Sequence, residues 1–201
     1  MARQLFNEIA QYGPQGTEWC DIKMKQELSK ITDKIDDKYY ADFFSGHRRE
    51  GFVYKYAWGT PDENAILKIK KFVDNETILE VGSGNGLWAF LLKEYNVHVI
   101  ATDDFSDYTS PKDLKTYTTV ENIDCKEAIK KYSNAKVLMI CWGRTNPTPY
   151  FQGDKIIYIG ELCGCTAGTP DKKNWKLVKS VDIPRWFITK DRMYLYSRIT
   201  I

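Results

Sequence analysis

Ile78-Leu79-Glu80-Val81-Gly82-Ser83-Gly84-Asn85-Gly86, followed by Ile100-Ala101-Thr102-Asp103, is the stretch that decides the fold. It reads as a short buried strand running into a glycine turn, a helix over Leu87–Tyr95, a second strand over Val97–Thr102 and an acid at that strand's end. Alternate glycines let the backbone turn sharply and approach a ligand closely, because glycine has no Cβ to clash. An acid about twenty residues beyond the first glycine is placed to accept hydrogen bonds from ribose hydroxyls. These parts describe a nucleoside pocket at the carboxyl ends of parallel strands.

The glycine spacing narrows the ligand. A dinucleotide fingerprint is G-x-G-x-x-G, with the following helix aimed at a pyrophosphate. Here Gly86 comes one place early, Leu87 stands where the third glycine belongs, and Glu80 precedes Gly82 by two residues. A carboxylate suits an ammonium and repels a pyrophosphate. The pattern E-x-G-x-G-x-G resembles motif I of the class I S-adenosylmethionine (SAM)-dependent methyltransferases. That resemblance implies SAM as cofactor. The turn Gly82, Ser83, Gly84 and Gly86 would face its methionine part, and Glu80 would help hold the amino group. The competing readings are an NAD or FAD site and a tight turn with a structural role only.

Outward from this unit, strand and helix alternate. Thr60-Pro61-Asp62-Glu63 reads as a helix start, with Thr60 as cap, Pro61 in the first turn and Glu63 closing a capping box. That helix is predicted to run to about Phe72, with Ile66, Ile69 and Phe72 facing inward. Downstream, Tyr117–Val120 is a weak third strand, Lys126–Tyr132 a short helix, Lys136–Trp142 a buried fourth strand and Lys155–Gly160 a fifth. Trp175–Val181 and Arg192–Arg198 form a closing antiparallel pair. The connections 143–154 and 163–174 are too short or too rich in proline and glycine for full helices. The expected fold is α/β, a doubly wound Rossmann-like sheet, mostly parallel with an antiparallel last strand. Residues 51–201 make this domain. Residues 1–50 form a helical extension, with one helix ended by Gly13-Pro14, a second over about Glu18–Lys34, and Phe43 and Phe44 packing inward.

Composition sets outer bounds. The chain has 201 residues, 43% hydrophobic and 28% charged, with a formal net charge of +2. That suits one domain with a sizeable core. No strongly basic face of a duplex binder is visible; Lys68-Ile69-Lys70-Lys71 and Lys172-Lys173 read as solvated faces. No stretch approaches the roughly 18 apolar residues of a membrane span. The start lacks a signal-peptide core, and five cysteines suit reduced thiols in the cytoplasm or nucleus. Cys163-Gly164-Cys165 lacks the second knuckle of a zinc site, with only His47 and His98 to help, so no metal is expected.

Ligands of doubly wound sheets lie beyond the strands' carboxyl ends. This selects Glu80, the glycine turn, Asp103, Asp124, Cys141, Trp142 and Glu161. The methyltransferase resemblance implies an adenine contact for Asp124, whose other reading is a helix N-cap. Trp142 either stacks near the cofactor or plugs the sheet. Methyl transfer needs an acceptor atom in line with the sulfonium and, where the acceptor loses a proton, a base. Tyr56, Tyr150 and Glu161 are candidates by position. Asn146-Pro147-Thr148-Pro149-Tyr150 resembles the N-P-P-Y motif of amino-methyltransferases, from which the inserted Thr148 departs; a proline-stiffened loop is the other reading. Tyr54-Lys55-Tyr56-Ala57-Trp58, with the Pro184-Arg185-Trp186 and Asp191-Arg192-Met193-Tyr194 segments, resembles a family of small methyltransferase-like proteins of eukaryotes and large viruses. That resemblance spans about residues 50–198. The aromatic segment is expected to line the methyl end of the pocket, with Tyr54 and Trp58 on the acceptor. The expected activity is methyl transfer from SAM to an unidentified acceptor, a small molecule or protein before a nucleic acid. The rival is a SAM-binding module without catalysis. Residues 1–50 would cover the pocket or offer a dimer or partner surface.

Overall fold

The computed structural model describes residues 1–14, 52–106, 115–162, 165–186 and 189–200. Helix α1 (Ala2–Tyr12) opens the chain, followed by α2 (Glu63–Val73), β1 (Ile78–Val81), α3 (Leu87–Glu94) and β2 (Val99–Asp103). Then come β3 (Glu121–Asn122), α4 (Cys125–Lys131), β4 (Val137–Cys141), β5 (Lys155–Gly160), β6 (Trp175–Asp182) and β7 (Arg192–Arg198). The sheet order is β3-β2-β1-β4-β5-β7-β6. The first five strands run parallel, and β7 is antiparallel to both β5 and β6. This is the expected doubly wound α/β sheet, mostly parallel with an antiparallel last strand. The order reverses between β1 and β4, so a crevice opens there.

Alternation along the strands divides the core. Ile78, Val137, Met139, Ile157, Ile159 and Leu195 pack on one face beneath α1, α2 and α3. Leu79, Val81, Leu138, Ile140, Ile156 and Tyr158 pack on the other, beneath α4, Phe151 and Trp175. Strands buried on both faces read as continuous apolar runs, which is why β1 and β4 were legible. Among the described residues the second face has less helix, because the β4–β5 connection holds only a 3₁₀ turn, Thr148–Tyr150. Arg198 pins that connection, donating from Nε to the Gly153 carbonyl and from Nη2 to the Phe151 carbonyl, each at 2.7 Å.

Three local expectations change. Tyr117–Val120 is not a strand; β3 is the following pair, Glu121–Asn122. The 117–120 segment folds over the glycine turn instead, with the Tyr117 N–H donating to the Asn85 carbonyl at 2.8 Å. Helix α2 is capped by Asp62, whose carboxylate accepts from the Ala65 N–H at 2.7 Å, and Thr60 lies buried two residues earlier. Glu63 accepts from the Tyr95 hydroxyl at 2.5 Å, so it does not close the capping box. His98 is exposed just before β2.

Helix α1 ends at Gly13, as the Gly13-Pro14 pair led one to expect. Ile9 is buried with Phe52 and Val53, and the Phe6 ring meets Tyr95 at 6.2 Å. The second helix over Glu18–Lys34, Phe43, Phe44 and His47 lie outside the described residues, as do Cys163 and Gly164. Among the described residues no helix is long and apolar enough to cross a membrane, and no His/Cys/Asp/Glu group of three or more could hold a metal.

Candidate functional site

A cleft of about 520 Å³ opens at the carboxyl ends of β1, β2, β4 and β5. Ligand clefts commonly run from about 300 to 1,000 Å³. Its floor is the glycine turn. The backbone is left-handed at Gly82, Gly84 and Gly86, with φ of 67°, 55° and 74°. The first and third differ in purpose. A Cβ on Gly82 would meet nothing within 4 Å, so this residue leaves the floor open. A Cβ on Gly86 would lie 2.9 Å from Val120 and 3.0 Å from Thr118, so this one lets the 117–120 segment close over the start of α3.

Asp103 ties the turn to β2. Its Oδ2 accepts from the Gly84 N–H at 2.7 Å and its Oδ1 from the Phe105 N–H at 2.6 Å. The carboxylate borders the cleft and is partly exposed. Each oxygen has a second acceptor direction, so a ribose diol and the backbone are compatible partners. Ser83 donates from its hydroxyl to the Thr102 carbonyl at 3.1 Å.

Glu80 is the unusual group. It is 1% exposed, it lines the cleft, and its Oε2 has no hydrogen-bond partner in the structure. Burial, reinforced by the nearby Asp103 charge, pushes its carboxyl up to about 8. Desolvation of this kind disfavours the charged form until a counter-charge arrives. Burial, with Glu80 adding to it, also pushes the Cys141 thiol up, which makes it a poor nucleophile.

The aromatic segment lies across the cleft from the turn. Asn85, 5% exposed, draws it in: its amide donates to the Lys55 carbonyl at 3.1 Å, and its Oδ1 accepts from the Leu87 N–H. Trp88 donates to the Gly59 carbonyl at 2.8 Å. Tyr54, Tyr56 and Trp58 all border the cleft. The Tyr56 hydroxyl is buried without a hydrogen-bond partner. Trp58 stacks on Trp142 with ring centroids 5.2 Å apart.

The remaining expected residues separate. Glu161 lines the cleft, but both its oxygens are engaged, Oε1 by the Lys190 N–H at 2.7 Å and Oε2 by the Cys165 N–H at 3.3 Å. Asp124 caps α4, accepting from the Lys126 and Glu127 N–H groups at 2.8 and 3.2 Å. Its neighbours Ile123 and Cys125 reach the cleft. Tyr150 lies away from the cleft lining under the Lys126 ammonium, half exposed. Asn146 turns its carbonyl oxygen back onto Thr148, accepting from the N–H at 3.1 Å and the hydroxyl at 2.7 Å. Pro147 is the member of that motif that borders the cleft.

Sequence reasoning did not single out Asn85, Asp104, Arg144 or Asp191. Asn85 lay inside the glycine motif, but its partners are 30 residues away in the chain. Among the described lining residues, Glu80, Asp103, Asp104 and Glu161 are acidic and Arg144 is the basic one. That balance disfavours a pyrophosphate and favours a ligand with positive charge.

No family model matches this chain, and no curated protein matches it in sequence. The likeness of residues 50–198 to a small eukaryotic and viral family therefore gains no support from these comparisons. Among solved structures, Sp1610 of Streptococcus pneumoniae, a candidate tRNA (m1A22) methyltransferase, is similar at 12% identity, over 70% of this chain and 72% of that one, with a TM-score of 0.45. MtNAS, solved with MTA and tNA, is similar at 15% identity, over 90% and 73%, with a TM-score of 0.45. An RNA methyltransferase from Salinibacter ruber, solved with S-adenosyl-L-homocysteine, is similar at 12% identity, over 68% and 92%, with a TM-score of 0.41. At such identities no residue role carries over to this chain.

Proposed function

We propose that this protein binds SAM in the cleft above the glycine turn and transfers its methyl group to an acceptor entering past Tyr54 and Trp58. The observation that carries the reading is Glu80: a buried carboxyl with an orphaned oxygen, opening into a cleft whose floor is kept bare by Gly82. An amino acid ammonium is the counter-charge that such a group lacks. Asp103 stands at the other side of the turn to receive a ribose, and Ile123 and Cys125 offer an edge for the base. The mixed charge of the chain favours a small-molecule or protein acceptor over a nucleic acid.

A second reading has its own support. Glu161 spends both oxygens on backbone amides, which leaves it poorly suited as a base. A SAM-binding subunit or sensor without catalysis fits that observation. Two measurements separate the readings. Thermal shift and calorimetry with SAM and S-adenosylhomocysteine (SAH) test binding; at about a hundredfold excess over Kd, stabilisation of about 2.7 kcal/mol is expected. Transfer of label from methyl-labelled SAM into a fractionated extract, read by mass spectrometry, tests catalysis. A folded protein that responds to neither ligand refutes both readings.

A further inference from the structure

Trp142 sits at the end of β4 with φ of 53°. A bulky side chain in the left-handed region is an outlier that costs energy and persists only when its surroundings hold it. Two of its contacts fix the ring. The indole Nε1–H donates to Asp191 Oδ1 at 2.8 Å, and Asp191 is itself 1% exposed. The Trp58 ring stacks on the indole with an interplanar angle of 27°. Both rings border the cleft, and Gly59 keeps the wall tight: a Cβ there would lie 2.7 Å from Ile159 and 2.9 Å from the Cys141 sulfur.

A buried carboxylate is costly unless it is hydrogen-bonded, and the indole N–H supplies Asp191 with one such bond. A charge-assisted hydrogen bond from the ring N–H fixes the ring plane and enriches the ring in electrons. An electron-rich indole beside an acidic cleft is a surface for a soft cation, held over its face by cation–π attraction. Resting on the SAM reading above, we infer that the Trp142–Trp58 pair is the wall that recognises the sulfonium centre, and that Asp191 is the positioning residue that aims it. Ring orientation then governs how strongly the positive cofactor is held relative to its neutral product. Asp191 acts through Trp142 and touches no ligand.

The test is the ratio of SAH to SAM dissociation constants, measured by calorimetry on the full chain. The two ligands differ by the methyl group and the sulfur's positive charge, so a general loss of packing moves both and leaves their ratio in place. In Asp191→Ala the ratio is expected to fall about five- to tenfold, the size of a partly desolvated cation–π contact. Asp191→Asn, whose amide oxygen still accepts from the indole, should keep most of the wild-type ratio. Trp142→Phe removes the same bond from the other end and should lower the ratio as Asp191→Ala does. It decides the matter if the Asp191→Ala chain does not fold. An unchanged ratio in Trp142→Phe or a folded Asp191→Ala, with both ligands bound, overturns the sulfonium wall and leaves SAM binding standing. Wild-type protein that binds neither ligand overturns the SAM reading, and this inference with it.

Discussion

Two buried carboxyls face one cleft, Glu80 at the end of β1 and Glu161 just past β5, and their surroundings differ. Glu161 has a backbone N–H on each oxygen and joins Cys165 to Lys190, on the chain entering β7. Glu80 has an oxygen with no partner and a carboxyl pushed up to about 8 by burial and by Asp103. Hydrogen bonding thus separates a satisfied buried acid from an unsatisfied one when residue type and position do not. A buried acid whose oxygens are both hydrogen-bonded costs the fold little. An unsatisfied one destabilises it until a ligand supplies the missing charge.

The sharpest test is Glu80→Gln. The raised folded value means that the native protein keeps a proton the unfolded chain releases. Stability should be fullest below about pH 4.5, decline as the pH rises towards about 8, and level off beyond. Glu80→Gln should erase that slope, stabilise the ligand-free protein at pH 8 by about 3 kcal/mol, and weaken SAM binding at least about tenfold. Urea unfolding across pH 4–9, with calorimetry, checks both. A variant that loses stability and keeps its SAM affinity would erase the contrast.

Asp103→Ala comes next. It should cost about 1.5–3 kcal/mol of SAM binding by calorimetry. It should also lower the melting temperature, because the Gly84 and Phe105 N–H groups lose their acceptor. Wild-type affinity in this variant would remove Asp103 from the ribose.

Glu161→Gln should behave in the opposite sense to Glu80→Gln. Turning an amide N–H₂ towards one of its two donors should cost about 2 kcal/mol of stability and change SAM affinity less than about threefold. A large affinity loss with unchanged stability would make Glu161 a ligand group after all.

The smallest expected difference lies within the turn. Gly82→Ala meets only the strain of its φ of 67°, whereas Gly86→Ala adds the collision with Val120. Denaturation should read about 1 kcal/mol for the first and about 2 kcal/mol for the second. Gly82→Ala should nonetheless impair SAM binding more, because its methyl enters the cleft. The reverse order would place the ligand on the Gly86 side.

The parts legible in sequence were those with local causes. β1, α3, β2, β4 and β5 each announced themselves through apolar runs, glycines or periodicity within a dozen residues. The errors came where distant contacts redirected local preference. Tyr117-Thr118-Thr119-Val120 has strand-forming residues, yet Tyr117 spends its N–H on Asn85 and its hydroxyl on the Lys55 carbonyl, and so wraps the turn. Thr60 was read as the cap of α2, yet Asp62 caps it and Glu63 is taken by the Tyr95 hydroxyl, 32 residues away in the chain. At the site, Gly82, Gly84 and both acids of the motif border the cleft as the sequence suggested, whereas Gly86 packs against Val120 and Thr118 instead. The left-handed Trp142 and its tie to Asp191 were not, because 49 residues separate the partners.

The two rims of the sheet carry one more consequence. One rim is β3, only two residues long. The other is β6, where the pairing with β7 slips between Leu177 and Lys179 and exposed lysines stand at 176 and 179. An unpaired rim normally templates further strands. Here one side offers too little backbone to copy, and the other is kinked and charged. Crowded copies of this chain should therefore resist joining rim to rim into extended ribbons, even though Leu177 and Val178 stand exposed on that outer strand.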